Sequence, residues 1–147
     1  MTGTVPRIAI AGLAATAAVA VAMVVHLNGQ QPSKVSGDFR NANIAEVRDA
    51  QGQVLLQGTF AAAAGDEDEI ERVATLAATT AGGQAAGDAE IEYRKDDPNT
   101  QEIEFQVSGV PARAVVSLVI DGTAVLSATA NDKGRAEAEA NVALTPR

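Results

Sequence analysis

One short stretch of this chain alternates charged and apolar side chains twice, as Glu90-Ile91-Glu92-Tyr93-Arg94 and then as Glu102-Ile103-Glu104-Phe105-Gln106-Val107. Successive side chains of an extended strand point to opposite faces. Period two therefore gathers Ile91, Tyr93, Ile103, Phe105 and Val107 on one side and the carboxylates on the other. A helix would scatter both classes around its circumference. Each segment is expected to be a half-buried strand with one wet face. Between them, Lys95-Asp96-Asp97-Pro98-Asn99-Thr100 reads as a turn, because Pro98 cannot donate to a ladder and Asn and Asp favour turn conformations. The pair predicts an antiparallel hairpin.

The same style recurs on both sides. Val115 to Ile120 and Thr123 to Ala130 flank Asp121-Gly122, a strong hairpin signal because a type I′ turn needs positive φ twice. Asn131-Asp132-Lys133-Gly134 makes the next turn, and from Arg135 to Leu144 the alanines 136, 138 and 140 share a face with Val142 and Leu144, opposite Glu137, Glu139 and Asn141. Upstream, Ile44 to Arg48 and Gln53 to Phe60 bracket Asp49-Ala50-Gln51-Gly52 as a third hairpin. Glu69 to Thr80 fits both periods: Ile70, Val73 and Ala77 make a helical stripe, whereas Ile70, Ala74 and Leu76 make a strand face that must also admit Arg72. With strands on either side, strand is preferred.

Seven or eight short strands separated by turn residues predict an all-β domain, an antiparallel sandwich of immunoglobulin-like size or a small barrel, with the sandwich preferred. The apolar supply is thin. Alanine accounts for 31 residues of the chain, and residues 41–147 hold 23 Ile, Leu, Val and Phe side chains. Where alanines line the interior, the layers must approach closely or lie at an edge, and modest stability is expected.

Ile8 to Val25 is a run of 18 residues without a charge, preceded by Arg7 and followed by Asn28-Gly29-Gln30-Gln31-Pro32. In a helix it would span about 27–30 Å, the depth of a bilayer's hydrocarbon core. A buried helix of a soluble domain would carry a polar stripe, and this run has none. Residues 1–27 are thus expected to enter a membrane, as a retained anchor or as a signal cleaved after Ala18-Val19-Ala20 or Ala20-Val21-Ala22. The run exceeds what a cleaved signal needs, which favours a single-pass anchor with contact through residues 8–27; secretion after cleavage is the alternative. Arg7 on one side is nearly balanced by Lys34 and Arg40 on the other, so the orientation bias is small, and an exported domain is preferred. Residues 28–41 read as a polar spacer, and 42–147 as the β domain.

The charge balance narrows the partners. Nineteen Asp and Glu against eleven Lys and Arg give −8, which argues against nucleic acid. Without cysteine there is no disulfide, thiolate nucleophile or Cys-containing zinc site. The single histidine, His26, ends the apolar run, so a Ser-His-Asp mechanism is excluded for the domain. No phosphate-cradling glycine loop occurs. One chemical candidate stands out, the acidic run containing Asp66, Asp68, Glu69 and Glu71, whose alternate carboxylates suit a hard calcium ion. The simpler reading is a solvated turn that keeps strand edges apart. Glu90, Glu92, Glu102 and Glu104 would lie close across the first hairpin, but on its wet face, where they solubilise rather than catalyse, with Arg94 and Lys95 offsetting part of their repulsion.

From Glu90 onward the chain resembles a loose group of exported bacterial β-sandwich proteins of unknown function. The resemblance rests on Glu102 to Val107, Ser108-Gly109-Val110-Pro111, Val119-Ile120-Asp121-Gly122 and Asp132-Lys133-Gly134-Arg135-Ala136, with Val47 to Leu55 similar to their first hairpin. It implies the fold and export, and brings no catalytic residue or ligand. The resulting expectation is a non-enzymatic acidic module, membrane-anchored or secreted, that serves cell-envelope interaction or structure. A calcium-dependent adhesion or matrix module using the 66–71 loop is the alternative.

Overall fold

A computed structural model gives the structure over residues 36–63, 68–97 and 99–144. The alternating segments are all strands: β1 (Ile44–Asp49), β2 (Val54–Thr59), β3 (Ala61–Ala62), β4 (Glu69–Ala78), β5 (Ala86–Arg94), β6 (Thr100–Ser108), β7 (Val115–Ile120), β8 (Thr123–Thr129) and β9 (Ala136–Ala143). The domain is all-β and antiparallel, as the periodicity requires. Among the described residues nine strands form one sheet, ordered β8-β7-β1-β2-β4-β5-β6-β9 with β3 beside β4, rather than two stacked sheets. The two terminal strands, β8 and β9, approach one another, so the sheet is nearly closed and barrel-like.

β2 and β3 share one partner strand, β4. Leu56 and Gln57 pair with Ala78 and Ala77, and Ala61 and Ala62 continue the same register against Val73 and Arg72. β2 and β3 thus run in a single register along β4, with the ladder interrupted around Phe60. A Cβ on Gly58 would lie 2.3 Å from the Thr75 carbonyl oxygen, so only glycine permits this approach. The extra strand, Ala61–Ala62, lies just beyond the run Gln53 to Phe60 read from the sequence.

Of residues 69–80, which fit helix and strand alike, Glu69–Ala78 form β4. Its inner face carries Ile70, Arg72, Ala74 and Leu76, the set that needed Arg72 inside. The guanidinium is accommodated by carbonyl oxygens: Nη2 donates to Ala42 at 2.9 Å and to Phe60 at 3.4 Å, and Nη1 donates to Arg40 at 3.3 Å. The turn at Asp121-Gly122 has φ of 46° and 84°, the type I′ signature that hairpin twist demands. Its carboxylate accepts from the backbone amides of Asn43 and Ile44, tying this hairpin to the start of β1, which also pairs with β7.

The interior is filled by Leu56, Leu76, Ile91, Ile103, Phe105 and Leu118, each under 2% exposed or at that limit, together with smaller Val and Ala side chains. Inward Ala136, Ala138 and Ala140 belong to β9, a terminal strand of the sheet, one of the two positions that small side chains allow. The turns at 49–53, 79–85, 109–114 and 130–135 gather at one end of the barrel. Ser36, the Asp121-Gly122 turn and the end of β9 lie at the other, here called the proximal end.

The expected membrane segment lies outside the described residues; among those described, no helix is long and apolar enough to cross a membrane. Residues 36–43, which lead into β1, pack against the proximal end. Phe39 is buried, Ser36 bridges Ala143 in parallel, and Gly37 N–H donates to the Ala143 carbonyl. Gln101 fixes this strap: its Oε1 accepts from Phe39 N at 3.2 Å and its Nε2 donates to the Gly37 carbonyl.

Candidate interaction surface

The alternation that fills the barrel leaves the opposite parity of β4, β5, β6 and β9 outside, and antiparallel pairing aligns those positions in rows. Glu71 lies opposite Glu92, Glu92 opposite Glu102, and Glu102 opposite Asn141. The next row runs Val73, Glu90, Glu104, Glu139. A third runs Thr75, Asp88, Gln106, Glu137, in which Gln106 Nε2 donates to Asp88 Oδ2 at 2.9 Å. Among the outward positions of these four strands the one cation is Arg94, in register with Glu69. It bonds Asp96 through Nε at 3.0 Å, so it is largely engaged at the strand end and does little for the rows beyond. The compensation expected from Arg94 is therefore local.

Like charges directly opposite across a ladder repel, and the carboxyls register this. A hydrogen bond with Glu69, then partial burial and the charges of Glu69, Glu102 and Glu90, push the Glu92 carboxyl up to about 7. Burial, followed by Glu71 and Glu104, raises Glu90. Glu102 is raised by burial and then by Glu139. Near neutral pH the surface can share protons or accept external cations, and either relieves the repulsion.

The sequence placed Glu90, Glu92, Glu102 and Glu104 together on a wet face, and the structure brings them together there. It adds Glu137 and Glu139, which pairing of β6 with β9 swings into the same surface, and Asp88, whose parity with Glu90 and Glu92 was the available signal. Of the calcium candidates, Asp66 lies outside the described residues; Glu69 and Glu71 are outward on β4, and Asp68 precedes them in a turn. Among the described residues no group of three or more His, Cys, Asp or Glu is arranged to hold a metal ion.

Two recesses border the far end of the barrel. One, of about 440 Å³, is lined by Asp88, Gln106, Ser108, Arg135 and Glu137 over Gly87 and Ala136, and extends the acidic surface to the start of β9. The other, of about 380 Å³, has Leu55, Val110 and Pro111 with Asp49, Gln51 and Gln53 at its rim; the Asp49 carboxylate accepts from the amides of Gln51 and Gln53 in its own turn. Family models, curated proteins and solved structures were all compared with the chain, and none matches.

Proposed function

We propose that this chain is a non-catalytic, membrane-tethered module. Its acidic β domain stands on the extracytoplasmic side and docks a cationic surface of an envelope partner through the outer face of β4, β5, β6 and β9. The observation that carries the reading is the alignment of Glu71, Glu92 and Glu102 in one row and Glu90, Glu104 and Glu139 in the next. A cluster of one sign on a chain of −8 net charge steers oppositely charged partners and speeds encounter. The uncharged run from Ile8 to Val25 supports the tether. The absence of cysteine, and a single histidine placed at the end of that run, support a role in binding rather than in nucleophilic chemistry.

The test is a titration of the full chain with a fluorescent oligolysine, read by anisotropy at low and high salt. Binding that weakens steeply between about 50 and 300 mM salt is expected, since exposed charges are screened over about a Debye length. The Glu90→Lys/Glu104→Lys double variant should lose most of it. Binding that ignores both salt and the double substitution would overturn the reading.

A further inference from the structure

β1 and β2 lose register at the far end of the barrel. Val47 pairs with Leu56 and Arg48 with Val54, so Leu55 is an extra residue of β2 with no partner on β1. A bulge of this kind at a barrel rim re-aims a side chain, and Leu55 joins the lining of the recess of about 380 Å³. Its backbone is pinned there. Thr79 N–H donates to the Leu55 carbonyl at 2.9 Å, and Thr79 Oγ1 donates to the Val54 carbonyl at 2.6 Å. A Cβ on Gly82 would lie 2.0 Å from the Leu55 oxygen, so the 79–85 turn comes this close only as glycine. On the next loop, Val110 N–H donates to the Gly134 carbonyl at 3.3 Å. Leu55 and Val110 are buried, while Ala81 and Pro111 line the same recess and stay exposed. The recess therefore has held apolar walls and an open mouth.

Asp49, Gln51 and Gln53 supply its polar rim. Asp49 is half-buried, and its Oδ1 accepts from the Gln51 amide at 2.9 Å and the Gln53 amide at 2.8 Å. Among the described residues nothing donates to its Oδ2, and neither glutamine side chain is hydrogen-bonded. The adjacent cation, Arg48, is engaged by Glu46 at 2.9 Å. We infer that this recess binds a small primary amine with a branched aliphatic body. The body covers Leu55, Val110 and Pro111 and leaves water. The ammonium stays at the rim, where its three N–H donors meet three unengaged acceptors, Asp49 Oδ2 and the side-chain carbonyls of Gln51 and Gln53. The volume lies within the range of small-molecule sites, about 300–1,000 Å³, and the mouth of a β-barrel is one of their usual places. A fatty acid brings like charge to Asp49, and a quaternary ammonium has no N–H to donate.

The experiment titrates the full chain at neutral pH with 3-methylbutylamine and follows backbone amide resonances. Shifts should centre on Gln51, Gln53, Leu55, Gly82 and Val110. 3-Methylbutanol has the body without the charge, and methylamine the charge without the body; each should bind at least about tenfold more weakly. Asp49→Asn keeps the oxygen that caps the Gln51 and Gln53 amides and removes the charge. It should weaken the amine by about tenfold and leave the alcohol unchanged. Ala81→Phe fills the recess from an exposed lining position and should abolish amine binding. Neither substitution should alter oligolysine binding to the acidic rows. A polypeptide with a free N-terminal leucine ends in the same chemistry, so leucinamide is a second arm. Binding tighter than 3-methylbutylamine supports the inference with a chain terminus as the source, and weaker binding supports it with a free amine. Equal binding of amine, alcohol and methylamine, or an amine affinity indifferent to Asp49→Asn, would overturn the inference. Shifts centred on the acidic rows, or no saturable shift at millimolar amine, would also refute it.

Discussion

Gln101 is 1% exposed, and its amide occupies both hydrogen-bonding groups on a single strap, Phe39 N–H and the Gly37 carbonyl. Replacing it with leucine keeps the bulk and strands both partners away from bulk water. Such an unmade bond costs about 1–3 kcal/mol, so Gln101→Leu should lower the urea midpoint accordingly and speed hydrogen exchange at the Phe39 amide. Unchanged exchange there would mean the strap is held by Phe39 packing alone. Asp121 acts through both backbone and side chain, with φ of 46° and a carboxylate that caps Asn43 and Ile44. Asp121→Gly keeps the turn and removes the cap. Asp121→Ala removes the cap but keeps a Cβ in the left-handed region, a strain of about 1–2 kcal/mol that glycine relieves, so thermal melts should place alanine below both glycine and wild type. Asp121 was legible because Asp-Gly between apolar runs has a local mechanism. Gln101 was legible only as parity: it falls two residues before Ile103, on the buried side, but nothing local says that a glutamine there finds a strap from sixty residues upstream.

At the scale of elements, the periodicity of each strand was readable while its neighbour was not. Glu137 and Glu139 were visible as the wet side of an alternating segment. Their pairing with Gln106 and Glu104 depends on β9 crossing to β6 instead of folding back on β8, a choice made by closure of the whole sheet. Likewise β4 was balanced between two periods because Arg72 looked wrong for an inner face, and carbonyls of distant segments resolve that. The assembled acidic rows set a pH dependence of unusual sign for carboxylates. The Glu92 carboxyl titrates near 4.5 when unfolded and near 7 when folded, so the folded state binds the proton more tightly. Its contribution to stability is fully present below about 4.5 and disappears as pH rises through 7. Glu90 and Glu102, also raised, act in the same direction. Asp96, lowered by Arg94, stays ionised across this window and adds no slope. The melting temperature should therefore be higher at pH 5 than at pH 8, with added salt narrowing the gap and Glu92→Gln flattening it. A melting temperature that climbs from pH 5 to 8 would contradict the repulsion between these rows.

At the scale of the whole molecule, Ser36 lies at the proximal end, bridged to Ala143, while Lys133 stands in the Asn131–Arg135 turn at the other. The proposed tether, leading towards Ser36, would present the Lys133 turn away from its attachment and leave the acidic rows on the barrel's flank. In the proposed arrangement, anionic lipid headgroups would repel that flank and leave it open to the proposed partner. Because the sequence contains no cysteine, a single reporter thiol is unambiguous. Lys133 is exposed and only its backbone amide enters the turn, donating to Asn131 Oδ1 at 2.9 Å, so Lys133→Cys should leave the fold unchanged. With the domain exported, an impermeant maleimide should label Lys133→Cys on intact cells as fully as after lysis, and the labelled chain should sediment with membranes. Label appearing only after lysis would place the domain on the cytoplasmic side and end the proposed role. Labelled protein released into the medium would show cleavage of the apolar segment; docking would then stand without the tether, and the acidic face would act as a diffusible ligand for cationic envelope surfaces.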